Sequence, residues 1–277
     1  MKRHTRIALL AGIALAMTMQ ISAQSFKILM KTPREMIESK WELSSNGDQQ
    51  LNYYNRDFCD YYVFRQQDRS YSLRPGKNTI FTIHKGSNAD NPFKSPSSYM
   101  YFRGNFVKNL NIKRPYALPV KDGTETSWTT DKREPVRTLN FQLVQGDTVY
   151  AVRSGVACRT PNPRILLVYH TDCTFAAYLV MDRNFIEAGQ EVQVGQPVGV
   201  AGITGVSISF FFLDKNKFEN LQPTGYPYSH FMPVFRTAEG DVQLEEQKVY
   251  KAVVDDAIIM QDMSKRQQKK YLKNKRG

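Results

Sequence analysis

Residues 188–214 read AGQEVQVGQPVGVAGITGVSISFFFLD, and no other stretch restricts the fold of this chain as much. Gly189, Gly195, Gly199, Gly202 and Gly205 recur between valines. Glycines at such short intervals suit a strand that bends sharply or crosses another backbone closely, because a Cβ would obstruct either. The run that follows, Val206 to Leu213, is a strand pattern too apolar for a half-exposed sheet, so it predicts burial on both faces.

The rest of the chain carries the same β signature. DYYVFRQQ, NTIFTIHKG and SYMYFRGNFV are aromatic and β-branched runs, and SSNGDQQ, RPGKN and GSNADNPFKSPSS separate them as turns. About seven short strands before residue 112 predict an immunoglobulin-like β-sandwich. Its seven tyrosines between Tyr53 and Tyr101 suit either core and cross-strand pairs or a glycan-stacking surface. Pro115 and Pro119 mark the passage into a second β-rich region, and after Tyr250 a helix-compatible segment leads into a basic tail.

Within that second region, NFQLVQGDTVYAVRSGVA and LLVYHTDCTFAAYLVMDRNFIEAGQEVQVGQPVGVAGITG resemble the M23 peptidases, the lysostaphin or LytM type of zinc peptidoglycan endopeptidase. The resemblance covers roughly residues 116–240, and the glycine–valine spacing is its most specific part. It implies an M23-like β-sheet domain for residues 113–250, which with the strand-rich residues 24–112 read as an immunoglobulin-like sandwich and residues 251–277 as a short helical basic tail gives an all-β expectation. It also implies positions for a catalytic zinc, where a hydrolytic zinc needs three protein ligands and an open place for water. The chain has Asn140 at the ligand aspartate, Phe211 at the ligand histidine of the His-x-His strand, and Ser209 and Val180 at the two histidines that assist catalysis, the first of that strand and that of Tyr-x-His-Leu. An ungapped match would put Phe211 and Leu213 in that strand instead. No histidine lies between His84 and His170, and none between His170 and His230. The zinc is therefore expected to be lost and the protein to be non-catalytic, with no cofactor.

His170 matches a family histidine that is not a ligand, and the turn after it is its expected hydrogen-bond partner. Asn140, Tyr178, Val180, Ser209, Phe211 and His170 are the candidate lining of a surviving groove. His84 and His230 read as isolated loop residues. Ser154 and Ser207 lack a nucleophile-elbow pattern, and Asp182, Asp255 and Asp256 form no spaced acid pair.

Composition narrows the setting. The net charge of +12 is not spread along the chain. Three positive charges fall in residues 1–23 and seven in the tail SKRQQKKYLKNKRG, which leaves +2 for residues 24–263. That distribution argues against nucleic acid; the tail is either a frayed, solvated terminus or a contact for an anionic surface. Residues 1–23 have the basic start, apolar middle and small-residue end of a cleaved signal peptide, so export to the periplasm or outside is expected. In that compartment Cys158 and Cys173, flanking a hairpin, are the candidate disulfide. The leading functional expectation is a binding protein for a cell-wall ligand or envelope partner, including regulation of wall hydrolases. The alternatives are an active zinc peptidase with unfamiliar ligands and a structural component of the envelope.

Overall fold

The computed structural model describes residues 34–65, 69–87, 90–93, 99–131, 137–219 and 227–276. The expected signal peptide lies outside them. The regular structure of the described residues is mostly β-strand, with three short α-helices and a 3-10 turn at Arg34–Met36.

The N-terminal part holds β1 (Ile37–Leu43), β2 (Gln49–Asn55), β3 (Tyr61–Arg65), β4 (Arg69–Leu73), β5 (Gly76–Ile83) and β6 (Tyr99–Arg103). They make two antiparallel three-stranded sheets, β1-β2-β5 and β4-β3-β6. The Asn-Gly signal in SSNGDQQ acts as read: Gly47 has φ +82°, and Ser44 Oγ accepts from Asp48 N at 3.0 Å to close the β1–β2 turn. Tyr53 and Tyr61 are buried, and Tyr62, Tyr71, Tyr99 and Tyr101 are half-buried around the same core. That core packing explains the tyrosine-rich composition.

Further along come β7 (Tyr116–Ala117), β8 (Glu125–Thr126), β9 (Trp128–Asp131), β10 (Thr138–Phe141), β11 (Thr148–Tyr150), β12 (Gly155–Ala157), β13 (Leu166–Tyr169) and β14 (Thr174–Leu179). They are followed by β15 (Met181–Asn184), β16 (Glu191–Val192), β17 (Pro197–Ala201), β18 (Val206–Leu213), β19 (Tyr228–His230), β20 (Phe235–Thr237), β21 (Gly240–Val242) and β22 (Tyr250–Lys251). An eight-stranded sheet, ordered β16-β12-β13-β14-β18-β10-β9 with β19 also on β18, is the centre of the molecule.

Both faces of this sheet are covered. Along β18 the side chains alternate, as a period of two requires. Val206, Ile208 and Phe210 join the cluster that β7, β11, β15, β17, β20 and β22 build on one side. Phe211 and Leu213 join Leu51, Tyr53, Tyr61, Val63 and Leu73 of the N-terminal sheets on the other. The apolar run is thus buried twice over, and each fully buried Phe contributes roughly 1.5–3 kcal/mol.

The glycine ladder does what its spacing predicts. A Cβ on Gly202 would lie 2.4 Å from Val180 O, and one on Gly205, which has φ +83°, would lie 2.1 Å from Phe141 O. No side chain fits where the chain turns from β17 into β18 against two neighbouring backbones.

The two halves are tied closely. Helix α1 (Lys215–Glu219) follows β18 and sets Phe218 against Tyr62, Phe64, Phe102 and Phe106, with ring centroids 5.2–5.5 Å apart. Tyr228 Oη donates to Arg103 O at 3.1 Å, and Tyr169 Oη to Asp60 at 3.1 Å.

The basic tail is not a frayed end. Helix α2 (Asp256–Met260) is capped by Asp255, and α3 (Lys265–Arg276) opens with Ser264 and Gln267 bonding each other reciprocally as a capping box. Asp256 then receives Tyr271 Oη at 2.9 Å and the Lys275 ammonium, while Gln268 Nε2 donates to Met260 O and Met263 O.

The cysteines depart from the expected pairing. Cys59, Cys158 and Cys173 are all free thiols. Cys158 N bonds Leu167 O, whereas Cys173 sits in the turn beyond His170, so much of β13 separates the expected pair. The sulfur beside Cys158 is that of Cys59, 99 positions earlier.

Candidate functional site

β18 changes partners halfway along one edge. Ile208 to Val206 pair with Leu139 to Phe141 of β10, and Phe211 to Leu213 pair with His230 to Tyr228 of β19. Ser209 falls in the gap between the two partners. Its hydroxyl donates to Arg137 O at 3.1 Å and stands 3.1 Å from His230 Nδ1. With the hydroxyl proton given to the carbonyl, His230 Nδ1–H is the donor to Ser209 Oγ.

A cleft of about 440 Å³ opens at this gap. Trp128, Leu139, Phe231 and Leu244 form its apolar floor, and Arg137, His230 and Glu246 its polar rim. Trp128 is fixed by a 2.9 Å bond from Nε1 to Glu245 O, and Glu246 accepts from Thr130 N at 3.0 Å. An apolar floor with a cation, an acid and an imidazole around it can hold a zwitterionic or hydroxyl-rich ligand through a few directed bonds.

The six residues singled out from the sequence do not gather around one groove. Asn140, Ser209, Val180 and Phe211 lie toward the N-terminal sheets. Asn140 is half-buried, and its Oδ1 accepts the hydroxyls of Ser207 at 2.6 Å and Thr138 at 3.2 Å. Phe211 is fully buried, stacked on Phe175 with centroids 5.1 Å apart and edge-on to Tyr228 at 5.9 Å. Val180 is half-buried in the same cluster with φ +63°, a strained conformation for a β-branched residue that costs about 1–3 kcal/mol. An amide oxygen already holding two hydroxyls, one engaged hydroxyl and two hydrocarbons do not fit the donor set of a catalytic zinc.

Tyr178 and His170 belong to the opposite face. Tyr178 is fully buried, and its hydroxyl accepts from Val152 N at 2.7 Å. The His170 ring bonds Ser154 O at 2.8 Å rather than the turn that follows it. The backbone of His170 makes the turn bonds, with N to Thr174 O and O from Cys173 N. Burial, reinforced by the nearby Arg153 guanidinium, lowers the His170 pKa to about 4.

The sequence missed His230. It lies in a strand rather than a loop, bonded to Ser209 and 6.0 Å from the Phe211 ring. His84 also has a partner, Asp48 at 3.3 Å, on the far N-terminal sheet. Among the described residues, the group of three potential metal donors is Asp57, Cys59 and Cys158, away from this cleft.

No protein-family model matches the sequence, and no curated protein matches it. Among solved structures, one of Helicobacter pylori Csd3 is similar at a TM-score of 0.31 and 10% identity, over 77% of this chain and 91% of that chain. Likeness at that level carries no functional inference.

Proposed function

We propose that this chain is an exported, non-catalytic protein with an M23-like β-sheet domain, which binds a cell-wall peptide or glycan in the cleft beside Ser209. The observation that carries the reading is the partner switch along β18. It leaves an apolar-floored cleft with Arg137, His230 and Glu246 on its rim. Phe211 at the position resembling a zinc ligand is packed between Phe175 and Tyr228. Binding is retained in this reading while hydrolysis is given up, and no zinc is required.

The pairing of β2 with β1 and β5, and of β3 with β4 and β6, supports an immunoglobulin-like sandwich for residues 24–112. That sandwich covers one face of the central sheet and leaves the cleft as the ligand site. Helix α3, rich in lysine and arginine and without an acid, is the surface that meets an anionic wall polymer or envelope partner. Nucleic acid is not a partner in this reading.

The test is titration of the purified chain with soluble wall fragments, followed by calorimetry, together with metal analysis. Saturable binding that weakens at least tenfold in Arg137→Ala and His230→Ala, with no zinc bound, supports the reading. Tightly held stoichiometric zinc, or binding indifferent to both substitutions, refutes it.

A further inference from the structure

The sulfurs of Cys59 and Cys158 and a carboxylate oxygen of Asp57 lie within 4.8 Å of one another. Cys59 belongs to the loop between β2 and β3, and Cys158 follows β12 in the central sheet. The backbone around both is fixed: Asn55 Nδ2 donates to Cys59 O at 2.9 Å, and Arg159 N donates to Asp57 Oδ1 at 2.7 Å. Two thiols and a carboxylate resemble an incomplete metal site, but the carboxylate is already committed. Its Oδ1 also accepts from Phe58 N at 2.8 Å, and its Oδ2 faces the buried Arg103 guanidinium at 2.9 Å and Tyr61 Oη at 3.1 Å. A cation would have to displace that guanidinium, and only two thiols would remain to bind it. The arrangement suits two thiols that react with each other.

The two differ in access. Cys59 is fully buried, whereas Cys158 contributes to the wall of a surface cavity of about 500 Å³ beside Arg159, Pro163 and Phe185. We infer that Cys59 and Cys158 are an oxidation site: a small-molecule disulfide enters this cavity, reacts with Cys158, and Cys59 resolves the adduct into a bridge that fastens the N-terminal sheets to the central sheet. The Cys158 thiolate attacks one sulfur of the small disulfide, breaking its S–S bond and releasing one thiol. The Cys59 sulfur, whose proton is held toward Asp57 Oδ2 at 3.6 Å, then attacks the Cys158 sulfur and releases the second thiol. The two protons end on the released thiols, and the two electrons lost by the protein reduce the external disulfide. The bridge closes the sulfurs from a separation within 4.8 Å to a bond of about 2.05 Å.

The inference stands apart from the ligand cleft and is tested without it. The purified full-length chain is incubated with oxidised glutathione, quenched in acid, unfolded, alkylated with a maleimide and digested for mass spectrometry. The expected product links the Cys59 and Cys158 peptides, leaves Cys173 alkylated and makes the intact chain lighter by two hydrogen atoms. The oxidised chain also melts at a higher temperature than the reduced one. In Cys59→Ser a stable glutathione adduct accumulates on Cys158, because nothing resolves it. If that variant does not fold, the wild-type peptide map decides alone. Wild-type protein with both thiols still alkylated, with a lasting glutathione adduct on Cys158, or with Cys173 in the bridge overturns the inference.

Discussion

Phe211 and His170 show how single residues fix what each face of the central sheet can do. Phe211 stands where the M23 resemblance expects a histidine of the His-x-His strand, and its ring closes the space between Phe175 and Tyr228. Phe211→Ala is expected to destabilise the protein by about 3–5 kcal/mol, because the cavity adds to the lost transfer energy. Urea unfolding measures it; a loss under about 1 kcal/mol would mean the site collapses freely and is not a packed interior. His170 acts through its proton. Its pKa is lowered from 6.5 to about 4, so the unfolded chain binds the proton more readily than the folded one. The stability due to neutral His170 is complete above pH 6.5 and is lost as pH falls toward 4, amounting to about 3 kcal/mol. Arg153 disfavours the protonated ring, whereas Asp172 and Asp262 favour it. His170→Asn, which keeps a donor near Ser154 O, is expected to flatten the stability profile between pH 7.5 and 5. An unchanged slope would assign that pH dependence to other groups.

At the scale of elements, the C-terminal helices depend on one buried arginine. Arg153 donates to Asp262 through Nε at 3.0 Å and through Nη2 at 2.9 Å, and through Nη1 to Asp172 at 2.8 Å and to Tyr116 Oη at 2.9 Å. Asp262, between α2 and α3, thus anchors the tail to the central sheet. Asp262→Ala removes one partner and leaves the guanidinium buried, which is expected to cost about 3 kcal/mol. Hydrogen exchange should then show α3 losing protection before the sheet; equal loss throughout would mean that the anchor is global. The local half of this design was readable in the sequence. Val206 to Leu213 is a strand buried on both faces because its alternation and apolarity are local properties, and Gly202 and Gly205 announced a crossing of backbones. The anchor was not readable, because Arg153 and Asp262 are 109 positions apart and only the fold brings them together. The helix of the basic tail was legible in its spacing, but its docking was hidden for the same reason, since the acid that meets Tyr271 and Lys275 is Asp256, outside the basic run.

Among the described residues, an eight-stranded sheet lies between two layers, with the N-terminal sheets packed against the face that carries Phe211. The cleft lies where β18 exchanges β10 for β19, and His230 reaches it from a strand whose pairing no local pattern predicts. Sequence reasoning singled out Ser209 but not its partners Arg137 and His230, and it grouped Tyr178 and His170 with a face to which they do not belong. In the proposed function the cleft binds without hydrolysis. Its most direct test is sedimentation of the purified chain with isolated cell-wall sacculi, with zinc added or chelated, while released amino groups are assayed. The expected result is co-sedimentation that chelation leaves unchanged and His230→Ala abolishes, with no release of amino groups. Zinc-dependent release of amino groups by the wild-type chain would contradict it.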